Sequence, residues 1–154
     1  MHPTHTLPGN GTDPSRRLAG DPVAKPATAP TAIGALVTPA VTLRATALYL
    51  DRHDWCQGSY YDQAATVFTP ATCLVGALGM VCYGGPVDAP ALNYHDPGFG
   101  EFDAAYEYLD RYLLDRYELV AYEFNDARGR TADEVIAALR SAADEWERTH
   151  GGDA

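Results

Sequence analysis

The sequence predicts an all-α domain: a small bundle of four principal helices with a short β-hairpin, preceded by a disordered N-terminal tail. Three observations indicate this class. Residues 69–82 carry no charge and are apolar on all sides, yet are shorter than the roughly 20 residues that span a bilayer, so they favour a buried central helix. Residues 39–54 and 100–118 place apolar side chains at helical spacing. A fourth helix, from residue 131, opens with a capping box.

The N-terminal segment differs in composition from everything that follows. Residues 1–37 hold six prolines and four glycines but no aromatic residue. Such a stretch has too little apolar surface to offset the entropy of ordering the chain. We therefore expect a disordered proline/alanine-rich tail over residues 1–37 and a helical domain over residues 38–150.

The first helix is predicted over residues 39–54. Thr38 can accept a free backbone N–H at its start, and Pro39 suits the first helical position. Beyond Gly58, residues 59–61 and 66–68 are predicted to pair as the short hairpin. A two-stranded hairpin is marginal alone, so it would need the helices behind it.

The central helix is predicted to start after Thr69, with Pro70 in its first turn, and to end at Gly84. The proline-containing connection up to Gly98 is long for a compact domain, which indicates a functional or self-packed loop. A third helix follows over about residues 100–118.

The region after the third helix holds the most distinctive polar features. Residues 119–124 are apolar and predicted either to prolong that helix or to run extended, and residues 125–130 have the composition of a turn. The last helix is then fixed by Thr131 and Glu134, whose side chains can satisfy each other's backbone N–H groups.

The charge of the chain excludes some classes of partner. It has 21 acidic and 11 basic side chains, a net charge of −10, and Lys25 is its only lysine. This balance argues against binding to nucleic acid or to an anionic membrane surface. No secretory signal is visible near Met1, so the three cysteines are predicted to be reduced thiols of a cytoplasmic protein. No cofactor is predicted.

Several motifs occur in one order along the chain. They are Trp55-Cys56-Gln57-Gly58, Cys73 with Gly76-Ala77, Asn125-Asp126, Gly129-Arg130-Thr131 and Glu134-Val135. Together they resemble a bacterial family, domain of unknown function 6197, over about residues 40–145. The chain differs from the family pattern at Phe124, where a tryptophan is common, and at Leu74, where an alanine is common. Because the family has no assigned activity, the resemblance implies a shared domain and no particular function.

One hypothesis makes the protein a cysteine-dependent enzyme. Cys56 would be the nucleophile, His95 or His53 its base, and Asn125 or Asp126 the group that orients the base. Cysteine peptidases usually place their cysteine at the start of a helix, whereas Cys56 follows one. The alternative, which the sequence favours, is that Cys56 is a small buried apolar side chain.

A structural metal domain is a further hypothesis. His53 and Cys56 are three residues apart, and Cys73 is a third weak candidate ligand. Zinc sites typically use two tight pairs of ligands, and only one tight pair is present here. The sequence therefore favours a protein without a bound metal.

Two sets of residues are candidates for ligand binding. Trp55, Gln57, Asn125, Asp126 and Arg130 would surround an anionic group near the start of the last helix. The small side chains of the central helix, at 73, 76 and 77, would either form a slot for a flat ligand or admit a neighbouring helix. For both sets, we expect the residues to stabilise the fold rather than to bind a ligand.

The tyrosines suggest a partner. Tyrosine suits wet interfaces, because its ring is buried while its hydroxyl stays hydrogen-bonded. With an acidic surface around them, the tyrosines predict a non-catalytic interaction or accessory module that binds another protein or self-associates. The ten are Tyr49, Tyr60, Tyr61, Tyr83, Tyr94, Tyr106, Tyr108, Tyr112, Tyr117 and Tyr122.

Overall fold

The computed structural model describes residues 37–151. Within this range the chain is helical, but the predicted bundle of four principal helices with a hairpin is wrong: there are five α-helices and a short 3-10 helix at Pro90–Leu92. The predicted disordered tail lies, except for Val37, outside the described residues. The helices are α1 Pro39–His53, α2 Leu74–Tyr83, α3 Phe99–Tyr117, α4 Ala121–Asp126 and α5 Ala132–His150.

The first helix, α1, packs against α5, α2 and α3. It begins as predicted, because the Thr38 hydroxyl accepts the Val41 N–H at 3.3 Å. Its core-facing side chains Leu43 and Leu50 are almost fully buried, and they join one continuous core with residues of the other four helices. No helix within residues 37–151 combines the length and apolar character that crossing a bilayer would require.

The central helix, α2, is buried from Leu74 to Met80, as its lack of charge predicts. Its start differs from the prediction. The cap is Cys73 rather than Thr69, because the backbone just before it is extended: the Thr72 carbonyl accepts the Cys56 N–H at 2.9 Å. Its end is as predicted, with Gly84 in the left-handed region at φ +76°.

The predicted hairpin is wrong. Residues 37–151 contain no strand, and Val67 and Phe68, which were to form half of the hairpin, are exposed. The first half bonds elsewhere: the Tyr60 carbonyl accepts the Cys73 N–H at 3.0 Å, and Asp62 N–H donates to the Ala71 carbonyl at 2.8 Å. The residues just before α2 therefore form the backbone hydrogen bonds that a partner strand would have formed.

The connection between α2 and α3 packs on the protein itself. Tyr83 donates its hydroxyl to the Pro90 carbonyl at 2.8 Å, and the Val87 N–H donates to the Tyr61 hydroxyl at 3.0 Å. These bonds hold the connection against α2 and the segment before it.

The segment after α3 forms a separate short helix. Glu118 ends α3 with φ +58°, and the Ala121 N–H at the start of α4 donates to the Asp110 carboxylate at 2.7 Å. Asn125 and Asp126 are therefore the last residues of α4, whereas the sequence placed them in a turn. The predicted capping box of α5 is confirmed, because Thr131 and Glu134 each accept the other's backbone N–H.

Candidate functional site

Three parts of the chain meet near the start of α2. They are the segment 54–61, the residues just before α2, and the C-terminal end of α4. The first segment turns twice in the left-handed region, at Asp54 with φ +72° and at Gly58 with φ +83°. These turns bring Trp55, Gln57 and Gly58 within hydrogen-bonding distance of the end of α4.

The side chain of Asn125 joins these three parts. Its Oδ1 accepts the Trp55 indole N–H at 2.6 Å and the Leu74 backbone N–H at 2.9 Å. Its Nδ2 donates to the Cys56 carbonyl at 3.2 Å and to Asp126 Oδ1 at 2.8 Å. Asn125 is only 1% exposed, and these four bonds use the hydrogen-bonding capacity of its amide. The amide therefore acts as an internal clamp.

The neighbours of Asn125 add to the clamp. Gln57 Nε2 donates to the carbonyls of Asn125 and Ala127 at 2.9 and 3.1 Å. The Gly58 N–H donates to Asp126 Oδ1 at 3.0 Å. The predicted ligand residues Trp55, Gln57, Asn125 and Asp126 thus come together, but mostly to bond one another.

A cleft of about 240 Å³ opens beside this network. Its chemistry is mixed: two tyrosine rings, one carboxylate, one amide, one thiol and a backbone turn. The Tyr60 and Tyr122 side chains are 38% and 57% exposed, whereas Cys73 and Asn125 are buried. The lining residues are Gly58, Ser59, Tyr60, Cys73, Tyr122, Asn125 and Asp126.

Burial shifts the pKa of both cysteine thiols in this region upward, away from the thiolate form. Burial raises the pKa of Cys56, and the nearby charges of Asp62 and Asp126 act in the same direction. Burial also raises the pKa of Cys73 to about 11, although its Sγ accepts the Gly76 N–H at 3.3 Å as the cap of α2. A nucleophilic thiol requires the opposite shift.

The two histidine candidates do not join the cleft. His95 is exposed, and His53 lies at the end of α1, 4.7 Å from the Tyr49 ring between centroids. Neither lines the cleft that Cys73 and Asn125 line. In the part of the chain that the structure describes, no three His, Cys, Asp or Glu side chains are grouped so that they could hold a metal ion.

Arg130 braces α4 rather than facing the cleft. Its Nε donates to the Phe124 carbonyl at 2.8 Å, and its guanidinium lies 3.8 Å from the centre of the Phe124 ring. It also approaches Glu134 at 3.6 Å. Among the described residues, no salt bridge joins Arg130 to Asp126.

The surroundings of Gly76 show whether the small residues of α2 form a ligand slot or allow another segment to pack closely. A Cβ on Gly76 would lie 2.1 Å from the Tyr60 carbonyl oxygen, so the backbone of the segment 54–61 occupies this face. The close approach that the sequence offered as one alternative is real, but the neighbour is an irregular segment and not a helix.

Sequence reasoning counted Tyr60 and Tyr122 among ten tyrosines that could meet a partner, but it did not place them together in this cleft. Tyr60 was assigned to the hairpin and Tyr122 to an undecided apolar segment. A helical assignment for residues 121–126 would have placed Tyr122 and Asp126 one turn apart on one face of α4. That spacing was the available signal.

Comparison with known proteins identifies a family. A family model described as a family of unknown function (DUF6197) matches residues 34–145. The match covers most of the chain, including the whole clamp and the cleft, and confirms the resemblance seen in the sequence. Neither the curated proteins nor the solved structures give a match.

Proposed function

Because the chain belongs to DUF6197, a family of unknown function, we propose its role from the geometry of the cleft: the domain is a non-catalytic module that binds another protein. The observation that carries this proposal is that two exposed tyrosines, Tyr60 and Tyr122, line one cleft together with Asp126. Exposed tyrosine rings at a concave site are typical of protein interfaces.

The arrangement of the polar groups supports binding without chemistry. The Asn125 amide is fully used inside the protein, so it has no donor left to stabilise a reacting oxygen. The Cys73 thiol that lines the cleft is held neutral by burial. No histidine is present among the lining residues to act as a base.

The charge of the domain favours a different protein over a second copy as the partner. Residues 37–151 carry 18 acidic side chains against eight arginines. Two such surfaces repel one another, whereas a basic partner is attracted and steered toward the cleft.

The proposal is tested by photo-crosslinking in the native host. A p-benzoyl-phenylalanine in place of Tyr122 should give a covalent product with one partner in stoichiometric yield. The same replacement at Tyr94, which is 60% exposed on the connection between α2 and α3, serves as the control and should give little product. Equal products from both positions, or none from either while light scattering shows a monodisperse monomer, would overturn the proposal.

The enzyme hypothesis built on Cys56, Asn125 and Asp126 requires a reactive thiolate at neutral pH, whereas the proposed binding module does not. We expect iodoacetamide to alkylate the folded protein at neutral pH more slowly than the urea-unfolded chain, because burial raises the pKa of Cys56 and Cys73. Peptide mass spectrometry assigns the rate to each cysteine. Faster alkylation of Cys56 in the folded protein would restore the enzyme hypothesis.

A further inference from the structure

We infer that the cleft binds the side chain of an arginine from a basic segment of the partner protein. This inference rests on the proposed function and specifies the chemistry by which the partner is recognised. Four features of the cleft lead to it: its size, the state of its carboxylate, its aromatic walls and the charge around it.

The size of the cleft limits the ligand. Pockets that enclose a cofactor or a drug-sized molecule hold roughly 300 to 1,000 Å³, whereas this cleft holds about 240 Å³. It has room for one extended side chain. A side chain that belongs to a polypeptide also gains binding free energy from contacts outside the cleft. A free amine of the same size cannot make those contacts.

The Asp126 carboxylate is fixed and has no cation of its own. Its Oδ1 accepts from the Gly58 N–H at 3.0 Å and from Asn125 Nδ2 at 2.8 Å, so the group is held in one orientation. The salt bridges among residues 37–151 all use other carboxylates. With Oδ1 occupied by two donors, Oδ2 is the oxygen left to accept from a ligand.

The walls of the cleft suit a flat cation. A guanidinium stacks on aromatic rings, whose faces attract a cation, and it keeps N–H groups free at its edge for a carboxylate. Tyr60 and Tyr122 supply exposed rings, and Asp126 supplies the acceptor. Lysine has the charge but not the flat shape, so we expect it to bind more weakly.

The surroundings of the cleft add to the preference for a cation. Tyr106 lies close enough to Asp110 that the negative charge of this carboxylate acts on the Tyr106 hydroxyl. Asp110 and Glu123 are likewise near one another, beside α4. The eight arginines of the described domain contribute none to the cleft lining. An anionic ligand, which the sequence suggested for this region, would meet the Asp126 carboxylate and no basic side chain among the lining residues.

The test uses the full chain labelled with ¹⁵N and three short peptides, acetyl-Gly-Gly-X-Gly-Gly-amide, in which X is arginine, lysine or the neutral isostere citrulline. The arginine peptide should shift the amide signals of Gly58, Tyr60, Tyr122 and Asp126 in a saturable manner. Lysine should bind more weakly, and citrulline at least about tenfold more weakly than arginine.

The matched variants are Asp126→Asn and Asp88→Asn. Asparagine at 126 retains an oxygen for the Gly58 N–H but removes the charge, so the affinity for the arginine peptide should fall about tenfold. Asp88 is exposed on the connection between α2 and α3, and its replacement should leave the affinity unchanged. The amide spectrum of each variant shows whether it is folded.

The inference is overturned if citrulline binds as well as arginine, if Asp126→Asn binds like the wild type, or if the shifts spread over the whole acidic surface. It is also overturned if no peptide produces a shift. A crosslinked partner captured from position 122, together with any of these results, would leave the proposed interaction module standing and remove only its arginine ligand.

Discussion

The side chain of Asn125 shows how one residue can determine a local structure. It is the only buried amide side chain among residues 37–151, and it bonds a side chain and two backbone groups from two separate parts of the chain as well as its neighbour Asp126. The irregular segment 54–61 has no regular secondary structure of its own, so these bonds substitute for it.

We predict that Asn125→Ala lowers the free energy of unfolding by about 2–4 kcal/mol, because the Leu74 N–H loses its side-chain acceptor in the interior and the Trp55 indole N–H also loses its acceptor. Urea unfolding followed by circular dichroism measures the change. Asn93→Ala is the control, since the Asn93 side chain makes no hydrogen bond within the described residues. Equal losses from the two variants would show that the clamp has no special role.

The buried thiol of Cys73 makes stability depend on alkaline pH. Burial raises its pKa from 9.0 to about 11, so between these values the folded chain keeps a proton that the unfolded chain has lost. The contribution is complete below pH 9 and is lost as the pH rises toward about 11. We expect the free energy of unfolding to fall across this window, with a share from Cys73 on the order of 2 kcal/mol.

The variant Cys73→Ser measures how much of this loss of stability comes from Cys73. Serine can accept the same Gly76 N–H as the cap of α2 but does not titrate in this range. Its free energy of unfolding should therefore fall less between pH 9 and about 11 than that of the wild type. Parallel curves for the two proteins would contradict a raised pKa at this position.

The role of a single residue could be predicted when its partners lie close to it in the sequence. The Thr38 cap and the Thr131–Glu134 capping box involve neighbours three residues apart, and both were predicted correctly. The bonds of Asn125 join residues about 50 to 70 positions apart. Sequence identified Asn125-Asp126 as a distinctive pair but could not identify partners so distant in the chain.

At the scale of elements, helices were easier to predict than the chain between them. The periodicity and charge that define α1, α3 and α5 are properties of each helix alone, so their bounds were predicted to within about two residues. The hairpin failed because an alternation of side chains does not say which backbone will supply the hydrogen bonds. Here the extended residues before α2 supply them, which also delays the start of that helix.

Gly76 and Gly100 offer a matched pair of helical glycines for testing the contact between α2 and the segment 54–61. Gly76→Ala must displace the Tyr60 carbonyl, so we predict a loss of about 2–3 kcal/mol in the free energy of unfolding. Gly100→Ala meets no atom within 4 Å in α3 and should be neutral or stabilising by about 0.5 kcal/mol. Thermal and urea unfolding measure both. A mild effect of Gly76→Ala would show that the segment is not held closely on α2.

At the scale of the molecule, α1 packs on α5 and α2, and none of the residues that line the cleft belongs to α1 or α5. The fully buried side chains of α1 and α5, such as Leu43 and Leu139, belong to the hydrophobic core, whereas the clamp joins only α2, α4 and the segment 54–61. The side chains that pack α1 on α5 and those that form the clamp are therefore different. Sequence predicted the core from apolar patterns, but the cleft exists only once the distant segments have met.

The most direct test of this account is hydrogen–deuterium exchange of the full chain and of Asn125→Ala, followed by mass spectrometry. We predict faster exchange in the variant at residues 55–61, 73–76 and 121–127, with unchanged protection in α5. That result would show that one amide assembles the cleft on an independent core. Equal protection of the cleft segments in both proteins, or a uniform loss that includes α5, would contradict it.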